Sequence, residues 1–177
     1  MAPVEQPADR ILVAVERGTV HVRIIGRGTL KMGPAFREFL SAAESQGLTS
    51  ASVDLSECET LDSTFLGILA GLAMRLRRGG GAVRVAGLSP KTLGLFRTLG
   101  LDQLVIPAGG TAGADPSSKL LEALDCSAAT RQADETILEA HEDLVAASAD
   151  NLPRFRDVIE FMRDSVARRQ GGDTAGP

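Results

Sequence analysis

Val53-Asp54-Leu55-Ser56-Glu57-Cys58-Glu59-Thr60-Leu61-Asp62-Ser63-Thr64-Phe65-Leu66-Gly67-Ile68-Leu69 is the stretch whose reading decides the fold. Residues 51–55 are short and apolar, bounded by polar residues, and predict a strand. From residue 63 the spacing changes. Phe65, Ile68, Leu69 and Leu72 share one face of a helix that runs to about residue 78. Asp62 or Ser63 caps its start, since both side chains accept from helix-start N–H groups. Gly79-Gly80-Gly81 ends it, after Arg75, Arg77 and Arg78, which suit the negative end of the helix dipole.

Working outward, residues 11–15 and 20–25 predict two strands, and the short Glu16-Arg17-Gly18-Thr19 link predicts a hairpin. Val20, Val22 and Ile24 alternate with polar residues, so one face is buried. Gly33-Pro34 opens a helix that reaches about Gln46, with Gly47 in the C-terminal glycine position. Downstream, residues 83–86 predict a strand and Ser89-Pro90 a further helix, with proline at its first position and Gly100 at its end. Residues 103–106 suit a last strand. The order is β-β-α-β-α-β-α-β. Strands alternating with helices imply an α/β fold with a mixed, largely parallel sheet flanked by helices. Such sheets place functional groups where a strand ends and the next helix begins, which points at the segment after Leu55.

We read residues 9–108 as this α/β domain, 109–128 as a linker with room for a short helix, and 129–169 as a helical hairpin. In the hairpin Ala133, Ile137, Ala140, Leu144 and Ala147 form one apolar stripe. Asp150-Asn151-Leu152-Pro153 breaks the chain, and Phe155, Val158, Ile159, Met162 and Val166 form a second stripe. A frayed tail is expected over 170–177. Stripes of this kind serve equally as a cover over the domain or as a homodimer or partner interface. Charge divides near the same boundary: twelve basic and ten acidic residues up to position 110, seven and thirteen beyond it.

Composition excludes several functions. A net charge of −4 offers no global basic field for nucleic acid. Aromatics are 3 %, without Trp or Tyr, too few for base-stacking platforms. Cys58 and Cys126 form no disulfide framework and no zinc motif, so no metal or cofactor is expected. Cys58 reads as a plain buried thiol, and His21 and His141 as surface or edge histidines. No apolar run is long enough to span a bilayer, and MAPVEQPADR lacks the pattern of a signal peptide, so a cytoplasmic protein is expected. No Ser/His/Asp or paired-carboxylate set is spaced for catalysis, and an enzyme is not expected.

The first turn after the cap, Thr64-Phe65-Leu66, carries no acid. Its N–H groups and positive dipole end suit a phosphate on Ser63. A phosphate there adds close to two negative charges beside Asp62, enough to expel a docked partner.

Four landmarks together resemble a STAS domain, the module of sulphate transporters and anti-sigma factor antagonists. They are Val53-Asp54-Leu55-Ser56, Leu61-Asp62-Ser63-Thr64, Val83-Arg84-Val85-Ala86-Gly87-Leu88-Ser89-Pro90 and Leu99-Gly100-Leu101. The resemblance covers about 100 residues. It implies that Ser63 is the phosphoryl acceptor, with Asp62, Thr64 and Phe65 as supporting residues of the switch loop. It also implies a serine kinase partner with a histidine-kinase-like ATP site that doubles as anti-sigma factor, and a serine phosphatase that resets the switch. Where the family commonly has glycine after the hydroxyl pair, this chain has Phe65, either core or a partner contact. A second implied role is that of a structural accessory subunit of an ABC-type lipid transporter, with Ser63 only a cap and contact residue.

Overall fold

The computed structural model describes residues 8–109, 121–127 and 133–172. The elements are β1 (Arg10–Glu16), β2 (Thr19–Gly28), α1 (Gly33–Ser45), β3 (Ser50–Leu61), α2 (Ser63–Arg78), β4 (Ala82–Ala86), α3 (Pro90–Leu99), β5 (Val105–Pro107), β6 (Glu122–Ala123), α4 (Ala133–Ala147) and α5 (Leu152–Gly172). Six strands form one sheet in the order β5-β4-β3-β2-β1-β6. β2, β3, β4 and β5 run parallel, while β1 pairs antiparallel with both β2 and β6. This is the expected mixed, largely parallel sheet.

Strand alternation decides which face receives helices. Val20, Val22, Ile24, Ala51, Val53, Leu55, Val83 and Val85 are buried, and His21, Arg23, Ser52, Asp54 and Arg84 stand on the opposite face. There Arg23 stands opposite Asp54 in the β2–β3 register, and its Nε donates to Oδ2 at 2.9 Å. Three parallel connections pass through helices, and right-handed crossovers put α1, α2 and α3 on the apolar face. Phe36, Phe65 and Phe96, one from each helix, are fully buried in a single core.

The β1–β2 turn places Arg17 and Gly18 at φ of 51° and 76°. Two consecutive left-handed residues are what a tight two-residue hairpin requires. α1 and α3 end where glycines predicted it, at Gly47 (φ 89°) and Gly100 (φ 77°).

Three expectations change. β3 does not stop at residue 55 but continues to Leu61, pairing with β2 as far as Gly28 through two register shifts. Sequence periodicity hides this because the second half is polar and half-exposed. The last strand begins at Val105, after a 3-10 turn at Leu101–Gln103. Residues 170–172 are helical, as the end of α5. Most of 109–128, where a short helix was allowed for, lies outside the described residues; within it, Glu122–Ala123 forms β6, which covers the edge of β1. The start of the hairpin segment, residues 129–132, is also outside them.

Candidate functional site

The site lies where β3 hands over to α2. Leu61 is held in the sheet against Gly28, and the Asp62 N–H donates to the Gly28 carbonyl at 3.0 Å. Asp62 then turns the chain out of the strand and caps α2. Its Oδ1 accepts from Phe65 N–H at 2.9 Å, and its Oδ2 accepts from Leu30 N–H at 2.6 Å. One carboxylate thus ties the helix start to the β2–α1 loop. The choice between Asp62 and Ser63 as cap is settled for Asp62, and Ser63 becomes the first residue of the helix. Asp62 also occupies helix-start donors, because its main-chain oxygen accepts from Leu66 N–H at 3.0 Å.

The three residues that follow take different roles. Thr64 is buried. Phe65 is fully buried and stacks on Phe36, with ring centroids 5.0 Å apart and planes 5° from parallel. Of the two readings left open for Phe65, the structure places it in the core. Ser63 is half-buried, and its hydroxyl lies 3.0 Å from Nε2 of His141 on α4.

His141 is where sequence reasoning missed. Read as a surface or edge histidine, it is 4 % exposed. Its Nδ1 lies 2.7 Å from the Ile137 carbonyl one turn back. A carbonyl only accepts, so Nδ1 carries the proton, and in the neutral ring Nε2 is left as an acceptor. The Ser63 hydroxyl therefore donates to His141. Phe155 of α5 packs edge-on against the other side of the ring, centroids 4.9 Å apart. A signal was available: His141 lies four residues after Ile137 and three before Leu144, on the apolar face of the stripe.

The remaining candidates are structural. Arg75 makes a paired contact with Glu44, its Nε 2.9 Å from Oε2, and Arg77 donates to the Gln103 carbonyl at 3.0 Å. Both side chains remain exposed at the end of α2. Cys58 is half-buried, and that burial pushes its thiol above the ordinary range, which makes it less reactive. His21 lies on β2 opposite Ala14. Among the described residues no group of His, Cys, Asp and Glu could hold a metal ion, and no helix is long and apolar enough to cross a membrane.

The comparisons agree with this fold. Among curated protein sequences none matches the chain. Among solved structures, the anti-sigma factor antagonist SpoIIAA in its unphosphorylated form is similar, at 23 % identity and a TM-score of 0.50. The match covers 59 % of this chain and 90 % of that one. An anti-sigma factor antagonist from Mycobacterium paratuberculosis is similar at 25 % identity and a TM-score of 0.50, over 58 % of this chain and 87 % of that one. Both matches stop well short of the full chain. The family described as "Mlab, STAS domain" matches residues 11–107, from β1 through β5 and including the whole Asp62-Ser63 turn. The chain belongs to the STAS domain family.

Proposed function

We propose that this protein is an anti-sigma factor antagonist switched by phosphorylation of Ser63. The observation that carries the reading is the position of Ser63: first residue of α2, behind an Asp62 cap that fixes the turn, in a residue that is half-buried. Family membership and the likeness to anti-sigma factor antagonists support it. In this reading a serine kinase with a histidine-kinase-like ATP site transfers the γ-phosphoryl group of ATP to Ser63 Oγ. The hydroxyl gives up its proton and ADP leaves. The unphosphorylated form binds that kinase, which is also the anti-sigma factor, and a serine phosphatase restores it. Ser63 receives chemistry performed elsewhere, so the chain itself is not an enzyme. A homodimer would use α5, where Phe161 is 61 % exposed, because the buried stripe of α4 faces α2 within the same chain.

Mass spectrometry of the native protein tests this, with co-purified proteins identified. Phosphate on Ser63 and a kinase of that class support the reading. A Ser63→Ala protein that the kinase still phosphorylates sinks it.

One observation favours a second reading. The Ser63 hydroxyl already has a buried partner in His141, which is what a purely structural contact residue would show. In that case the chain is an accessory subunit of an ABC-type lipid transporter. Capture of a membrane ATPase, with no phosphate on Ser63, distinguishes the two.

A further inference from the structure

The C-terminal hairpin is seated directly on the face of α2 that begins with Ser63. Two glycines one turn apart make the seat. A Cβ on Gly67 would overlap the Ala140 carbonyl, and a Cβ on Gly71 would stand 2.7 Å from Cγ of Asp143. The missing side chain of Gly67 lets α4 approach to backbone contact, and that of Gly71 makes room for the Asp143 carboxylate. Ala140, His141 and Leu144 fill the interface and are buried. Around it, Arg37 pairs with Glu139 and Arg75 faces Asp143 at 3.9 Å. At the far end, the fully buried Asn151 donates to the carbonyls of Leu99 at 3.0 Å and Leu144 at 2.7 Å, anchoring the hairpin to the end of α3.

The one hydroxyl in this interface with a proposed chemistry is that of Ser63. Phosphorylation exchanges its O–H bond for an O–P bond, so the proton donated to His141 is gone. The Nε2 lone pair would then face phosphate oxygens, with Nδ1–H still committed to Ile137. Between the two side chains space is also lacking, since 3.0 Å from Oγ to Nε2 does not admit a phosphorus atom and its oxygens between them. Charge acts in the same direction. α4 carries Asp134, Glu135, Glu139, Glu142 and Asp143, with no Lys or Arg between 133 and 147. Arg37, Arg75, Arg163 and Arg169 pair with four of these five acids, so a group of nearly two negative charges set against that helix meets only a partial repulsion.

We propose that the α4–α5 hairpin is an intramolecular cover over the switch serine, and that a phosphoryl group on Ser63 and the docked hairpin exclude one another. Phosphorylation releases the hairpin and bares the glycine seat on α2. By linkage, the docked hairpin opposes phosphorylation to the same extent. The biological use of the device rests on Ser63 being the acceptor in the cell, but the exclusion is testable without any kinase.

The test uses the full chain with phosphoserine installed at position 63 during translation, compared with the unmodified protein by hydrogen exchange. Amides of α4 should exchange about tenfold faster or more in the phosphoserine protein, while β2 and β3 stay protected. Gly67→Leu should reproduce that loss without touching Ser63. Unchanged protection of α4 in the phosphoserine protein overturns the proposal. So does increased protection, which would mean that a protonated His141 clamps the phosphate. If Gly67→Leu also loses protection in β2 and β3, it has not folded, and the phosphoserine protein alone decides. Failure of the acceptor reading has a separate signature, an absence of phosphate on Ser63 in the native protein.

Discussion

Ser63 and His141, seventy-eight positions apart, meet through a 3.0 Å hydrogen bond that joins the first residue of α2 to the middle of α4. The bond links the STAS domain to helices beyond the family's match, and it uses the hydroxyl on which the proposed function depends. Ser63→Ala leaves Nε2 buried without a donor and should cost about 1–2 kcal/mol. His141→Ala also opens a cavity beside Phe155 and should cost more, about 2–3 kcal/mol. In a double-mutant cycle read by urea denaturation, the pair should show a coupling of about 1 kcal/mol. Additive effects would mean that the two side chains do not interact in solution.

Asp62 serves two loops with one carboxylate, accepting from Phe65 N–H and Leu30 N–H. Asp62→Ala should cost about 2 kcal/mol, more than a simple cap, because it orphans a donor in the β2–α1 loop as well. Asp62→Asn keeps one acceptor oxygen and should fall between. The check is a denaturation midpoint together with amide exchange at Leu30 and Phe65. A rise in exchange at Phe65 alone would show that the bond to Leu30 contributes nothing.

Phe65, where the family commonly has glycine, is core. Phe65→Ala removes a fully buried ring stacked on Phe36 and should cost about 3–5 kcal/mol. Phe65→Leu, closer in volume, should cost under about 2 kcal/mol. If instead the alanine variant keeps full stability but loses a partner, Phe65 is a contact residue.

Asp143 gives the hairpin a pH dependence. Burial raises its carboxyl to about 6, against the pull of Arg75 and Arg37, with Glu139 and Glu142 adding to the rise. The folded value lies above the unfolded one, so between them the native state binds the extra proton. This group's contribution is therefore fully present at low pH and is lost as pH rises through about 6. Asp143→Asn should strengthen hairpin docking at pH 7 and flatten the stability profile between about pH 4 and 6. Thermal melts of both proteins across that range would show it. An unchanged slope would assign the dependence to other groups.

Legibility followed sequence distance. β1, β2, α1, α2, β4 and α3 were readable because each carries its own evidence: alternation in Val20-His21-Val22, a three-four spacing in α2, glycines at 47 and 100. The second half of β3 was not, since Glu57, Glu59 and Thr60 form a strand only because β2 lies alongside to take up their backbone. β6, two exposed residues paired with β1, has no local signal at all.

The sequence by itself determined the α/β order, the placement of Ser63 at the start of a helix and the existence of two C-terminal amphipathic helices. These follow from periodicity and capping, which act over a few residues. Only the tertiary structure decided that Asp62 is the cap, that Phe65 is core, and above all that His141 reaches Ser63. A helical stripe states that one face must be buried but not against what. The answer lay in Gly67 and Gly71, whose missing side chains let α4 settle on α2, and that fit exists only once both helices are in place.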